Sequence, residues 1–110
     1  MADRHPTAPT APAYLKGRLR ERFEELAPVL TAMGTLTYLD ADALARYVLS
    51  ENEYLRVSQL TMEAIEGGDA ADADKWASVQ DRLLRQCMAA GAEFGLTPSG
   101  RRSRGLIPPR

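Results

Sequence analysis

Apolar side chains recur along this chain at helical intervals. Leu15, Leu19, Phe23, Leu26, Leu30 and Met33 are separated by steps of four or three residues, which puts them on one face of a helix from about Tyr14 to Met33. Pro28 falls inside that stretch. It has no amide proton and its ring crowds the preceding turn, so the pattern predicts a kink or a break into two short helices. Gly34 is the expected stop. A second pattern opens with Thr37-Tyr-Leu-Asp40, where Thr37 can cap the helix and Asp40 can reach back to it, a variant of the capping box. It then runs to about Glu66 without Gly or Pro. Leu44, Val48, Leu55 and Met62 make its main stripe, with Tyr47, Tyr54 and Ile65 beside it. At ~1.5 Å per residue such a helix is about 40 Å long. A third pattern begins among Asp69, Asp72 and Asp74, acids suited to a helix N-terminus. Trp76, Val79, Leu83, Cys87, Ala90 and Phe94 form its stripe, and Gly95 and Pro98 close it.

These patterns predict an all-α chain of one domain, since no stretch alternates as a strand would and no repeat is visible. Two long helices joined by the Gly67-Gly68 turn predict an antiparallel hairpin, with the shorter, proline-interrupted helix packed on it. That first helix is too short to cover the hairpin. Tyr47, Tyr54 and Val57 do not share a stripe with Leu44, Leu55 and Met62, so apolar side chains face more than one way. The surplus predicts contact with further copies of the chain, with Tyr47, Tyr54, Leu55, Trp76 and Leu83 as core or interface anchors. Residues 1–13, with Pro6, Pro9 and Pro12, predict a flexible or extended arm. Residues 14–98 form the helical oligomerisation domain, and 99–110, rich in Gly, Pro and Arg, predict a flexible basic tail.

Charge changes the picture because it is unevenly placed. Residues 1–22 carry five basic side chains against two acidic ones, a net of +3, and residues 82–110 carry six against one, a net of +5. Residues 23–81 hold three basic and twelve acidic side chains, a net of −9. An acidic body repels phosphate, so contact with a polyanion falls to the ends. Arg101, Arg102 and Arg104 fit phosphate neutralisation, and equally a solubilising tail or a dock for a protein partner. Lys16, Arg18, Arg20 and Arg22 spread around the first helix, as a solvated face would. On the charge map, the three tail arginines are the expected main phosphate-contacting element, and Lys16, Arg18, Arg20 and Arg22 a secondary one.

Catalytic chemistry is sparse. His5 lies in the proline-rich arm, where nothing rigid surrounds it. Cys87 sits on an apolar stripe and reads as a buried structural thiol; one cysteine makes neither a disulfide framework nor a multi-cysteine metal site. Asp69, Asp72 and Asp74 lack the glycine and glutamate spacing of a calcium loop, and no GxxxxGK[ST] phosphate loop occurs. The expectation is a non-enzyme with no cofactor and no metal. No apolar run approaches the roughly 20 residues of a membrane span, and the N-terminus lacks the apolar segment of a signal peptide.

Pro12-x-x-Leu15, Leu26-x-x-x-Leu30-x-x-x-Gly34-x-Leu36-Thr37, Asp40 and Leu44-x-x-Tyr47, followed by the long second helix, the glycine turn and Phe94-Gly95-Leu96-Thr97-Pro98-x-x-Arg101, resemble one family of tailed-phage terminase small subunits. The resemblance spans roughly residues 12–104. Phe23 stands where tryptophan is common in that family. The resemblance implies a ring-shaped homo-oligomer, with a nonamer the expected size, acting in the host cell cytoplasm during phage assembly. It implies recognition of the packaging site on concatemeric double-stranded viral DNA. It also implies a terminase large subunit as partner, which supplies the ATPase and nuclease that the small subunit recruits and regulates. The alternative from the residues alone is a helical oligomeric adaptor or connector that never touches DNA.

Overall fold

The computed structural model describes residues 8–103 and Gly105, and every described element is helical. α1 spans Gly17–Met33, a 3-10 turn spans Tyr38–Asp40, α2 spans Ala41–Glu66, α3 spans Ala70–Glu93 and α4 spans Pro98–Ser103. The apolar face of α1 is the one its spacing requires: Phe23, Leu26, Ala27 and Leu30 are buried, with Leu19 and Met33 partly so. α1 ends where the Gly34 amide bonds to the Thr31 carbonyl and the Thr35 amide to that of Leu30, the paired bonds of a Schellman motif.

The expected break at Pro28 is not present. α1 runs through Pro28 as one helix. Pro28 is exposed, so its ring faces solvent, and a carbonyl deprived of its helical partner on that side is open to water.

The Thr37 capping box forms: the Thr37 side chain accepts from the Leu39 amide, and Asp40 Oδ2 accepts from the Thr37 amide at 2.8 Å. It caps the 3-10 turn that leads into α2, rather than α2 directly. α2 and α3 form the expected antiparallel hairpin. At its turn Gly68 adopts φ 75°, a left-handed conformation that costs glycine little. The Asp69 amide returns to the Ala64 carbonyl, and Asp69 Oδ1 accepts from the Asp72 amide at 2.9 Å, so one residue closes α2 and caps α3.

The core lies at one end of this hairpin, its base. Phe23, Leu26, Ala27 and Leu30 of α1 pack with Leu44, Ala45, Tyr47 and Val48 of α2 and Cys87 of α3, joined by Leu15 and Leu36. Toward the turn only Val57, Thr61 and Ala64 are buried, between the two long helices. Trp76 and Leu83 lie outside the main cluster and are half-buried.

Two terminal expectations need correction. Residues 8–13 are non-helical, as their prolines require, but they do not stand free. Ala11 is buried in the core cluster and Ala8 packs against it, held by Leu15 at 1% exposure. Residues 99–103 are not a loose tail, because they belong to α4. Thr97-Pro98 is the reason: threonine at the cap and proline at the first helical position start a helix as well as stop one. His5 and the rest of residues 1–7, Arg104 and residues 106–110 lie outside the described residues.

Candidate nucleic-acid interface

The antiparallel hairpin sets the start of α2 beside the end of α3, and both basic ends of the chain attach there. On one side the Tyr14 hydroxyl donates to Asp42 Oδ1 at 3.2 Å, fixing the residues before α1 against the first turn of α2. On the other side α4 packs on the end of α3. Gly95 turns the chain with φ 76°, and the Leu96 amide returns to the Gly91 carbonyl at 2.9 Å. Thr97 Oγ1 then accepts from the Gly100 amide at 3.0 Å and caps α4.

The basic residues singled out in the sequence divide into free and engaged. Lys16, Arg18 and Arg102 are exposed, and none is in an ion pair among the described residues. Arg101 is part-buried and donates from Nη1 to the Gly95 carbonyl at 3.1 Å, so it closes the end of α3. Arg20 donates to the Pro12 and Leu15 carbonyls and lies 3.5 Å from Glu24; it straps residues 12–15 onto α1. Arg22 grips Glu51 of α2 with two bonds, Nε–Oε1 at 2.9 Å and Nη2–Oε2 at 3.1 Å, and Glu25 with a third. This fork-to-carboxylate geometry is the strong form of such pairs. Bonding to Glu51 raises the Arg22 guanidinium above its already high range. Arg104 lies outside the described residues.

Glu51 is a residue that sequence reasoning missed. Besides Arg22 it accepts from the Tyr47 hydroxyl at 3.3 Å, so one carboxylate ties α1 to α2. Its partner is 29 positions away, and nothing in local spacing announces that. Tyr47 is 8% exposed, and its ring meets Phe94 edge-on at 6.1 Å. Burial first, and then the Glu51 charge, hold the Tyr47 hydroxyl well above the usual tyrosine range. Burial likewise pushes the Cys87 thiol up, which keeps it a protonated packing group rather than a nucleophile.

Exposed apolar side chains lie at both ends of the hairpin: Tyr38 and Leu39 near its base, and a group on its far half. Leu55, Met62 and Ile65 are 58%, 54% and 63% exposed. Tyr54, Trp76 and Leu83 are half-buried, and the Lys75 ammonium lies 5.0 Å from the Trp76 ring centroid. Between α2 and α3 near the turn is an open trough of about 490 Å³ lined by Thr61, Ala64, Ile65, Ala70, Ala73 and Ala77. Among the described residues no group of three or more His, Cys, Asp or Glu could hold a metal ion, and no helix is long and apolar enough to cross a membrane.

Comparison with known proteins returns one family. A family model described as phage terminase, small subunit, matches residues 20–106, which is most of the chain. No curated protein and no solved structure matches.

Proposed function

The chain belongs to the phage terminase small-subunit family, and from that membership in the DNA-packaging machinery we propose that it recognises the packaging site on concatemeric viral DNA and delivers it to the large subunit. In this reading the protein assembles as a ring of identical copies and has no active site of its own. The ATPase and nuclease steps belong to the large subunit, which this protein recruits and regulates.

The observation that carries the DNA-binding part is the placement of positive charge. The residues before α1 are tied to the first turn of α2 through Tyr14 and Asp42, α4 packs on the end of α3, and Lys16, Arg18 and Arg102 are exposed on these basic ends. Arg101 belongs to the same helix as Arg102, whereas Arg20 and Arg22 are committed to contacts within the fold and add mainly field. One such patch binds weakly. Repeated around a ring, it raises avidity through effective concentration without any new contact. Contacts of this kind position DNA and do not by themselves read sequence, so site choice falls to DNA shape and bending.

The ring rests on the exposed Leu55, Met62 and Ile65 and on half-buried Tyr54, Trp76 and Leu83, which a single α1 leaves uncovered. Closed symmetry is the usual outcome for such a surface, and a nonamer is the expected size. The test is native mass with and without DNA, paired with DNA affinity across a salt series. A discrete oligomer is expected, with log affinity falling by about 0.9 per neutralised phosphate for each unit of log salt. A monomer at micromolar concentration, or salt-independent binding, would overturn the reading.

A further inference from the structure

We propose that Gly100 and Arg101 are positioning residues: they lock α4 onto the end of α3, so that Arg102 meets DNA phosphates from a fixed place rather than from a loose tail. The proposal rests on the DNA-binding reading above.

The contact that holds α4 is made by backbone. A Cβ built on Gly100 would lie 2.5 Å from the Ala92 carbonyl oxygen, 2.8 Å from Ala92 Cα and 2.9 Å from Thr97 Oγ1. Two of these are main-chain atoms of α3 and cannot swing aside. Gly100 is buried in this approach. Its amide is fixed by Thr97 Oγ1, and the next amide, that of Arg101, returns to the Thr97 carbonyl at 3.0 Å. The Arg101 guanidinium reaches past it to the Gly95 carbonyl. Three ties thus converge on a helix of six residues, far below the length at which a helix holds itself in water. Arg102, the next residue, is exposed.

This arrangement divides the arginine cluster by role. The Arg101 side chain is spent on the fold, and Arg102 is left to the ligand. Fixing its backbone beforehand removes an ordering cost that a loose tail would meet on binding. In an assembly the same advantage recurs at every copy that touches DNA.

Gly100→Ala tests it without altering charge. Alanine raises intrinsic helix propensity over glycine, so an α4 that stood alone would be strengthened. Docking against Ala92 predicts the reverse: amides of residues 100–102 should lose hydrogen-exchange protection. DNA affinity should fall by about tenfold per engaged copy, the scale of ordering roughly one residue's backbone, while the salt slope stays as in the wild type because every arginine remains. Arg102→Ala should instead lower the slope by about 0.9 for each copy in contact. Ser99→Ala, at an exposed position of the same helix, raises helix propensity without touching α3 and should bind DNA at least as well as the wild type. If Gly100→Ala abolishes protection yet leaves DNA affinity unchanged, α4 docking is purely structural and the proposal falls alone. If Gly100→Ala keeps or gains protection, the packing argument is wrong. If wild-type protein shows no salt-dependent DNA binding while α4 is protected, the functional reading fails and takes this proposal with it.

Discussion

Replacing Tyr47 by phenylalanine should make the protein less stable at neutral pH and comparatively more stable in alkali. The substitution keeps the buried ring and its edge-on contact with Phe94 and removes only the hydroxyl. At neutral pH the loss is one 3.3 Å hydrogen bond to Glu51, whose carboxylate keeps both bonds from Arg22. A net cost of about 0.5–1.5 kcal/mol follows, toward the low end for so long a bond. The pH dependence has a definite sign. Tyr47 is an acid whose folded pKa is raised above its unfolded value. Above about pH 10 the unfolded chain releases the proton while the folded chain keeps it. The unfolded state then binds fewer protons, so stability falls as pH rises. The fall is at most about 1.4 kcal/mol per pH unit, less because Glu51 is partly open to water. The difference between wild type and variant should therefore shrink from about pH 10 and vanish near about pH 11. Urea unfolding followed by circular dichroism, at one protomer concentration from about pH 7 to about pH 11, measures it. Every group common to the two proteins cancels in the difference. A difference that stays constant with pH would show that the Tyr47 hydroxyl meets water in the folded protein as it does in the unfolded one.

Other substitutions probe other parts of the argument. Phe23 is fully buried at the centre of the core, and Phe23→Ala should cost roughly 3–5 kcal/mol, lowering the melting temperature by well over ten degrees in a thermal scan or leaving no folded protein to scan. Gly91 lies inside α3 with ordinary room for a methyl group, the nearest atom being Tyr47 Cε1 at 3.4 Å. Gly91→Ala should therefore raise stability by about 0.5–1 kcal/mol through helix propensity, and a loss in urea unfolding would mean the Tyr47 ring cannot accommodate it. Trp76 is half-buried on the far half of the hairpin, so Trp76→Ala should lower oligomer mass in light scattering; unchanged mass and unchanged melting temperature would remove it from the interface.

Helix periodicity carried most of the fold. The face of α1, the Thr37–Asp40 capping box and the Asp69 cap are all local, and local spacing reports them directly; the expected α2 stripe holds at Leu44 and Val48 but not beyond, where Leu55 and Met62 are exposed and Val57, Thr61 and Ala64 face α3 instead. Pro28 misled because its effect depends on which side of the helix it occupies, and an exposed proline can be carried inside one. Thr97-Pro98 is locally ambiguous, since the same pair closes one helix and opens the next; only the packing of Gly100 on Ala92 decides for α4. The candidate interface was legible as charge and no further. That Arg22 is held by Glu51, 29 positions away, and Arg101 by the Gly95 carbonyl follows from tertiary approach, to which residue spacing is blind.

The core at one end of a molecule 59 Å long also means that cohesion is graded along its axis. Backbone amides of α2 near Val48 and of α3 near Cys87 lie in the core cluster and should exchange only with global opening. Those flanking Gly67 and Gly68 have a single neighbouring helix and should exchange through local fraying, at a lower free energy. Subunits that pack along the exposed Leu55, Met62 and Ile65 would supply the missing cover at the end that frays most easily. Association would then be coupled to annealing of the hairpin tip: the protomer would dock as a rigid base with a loose end, and the loose end would become solid only in company.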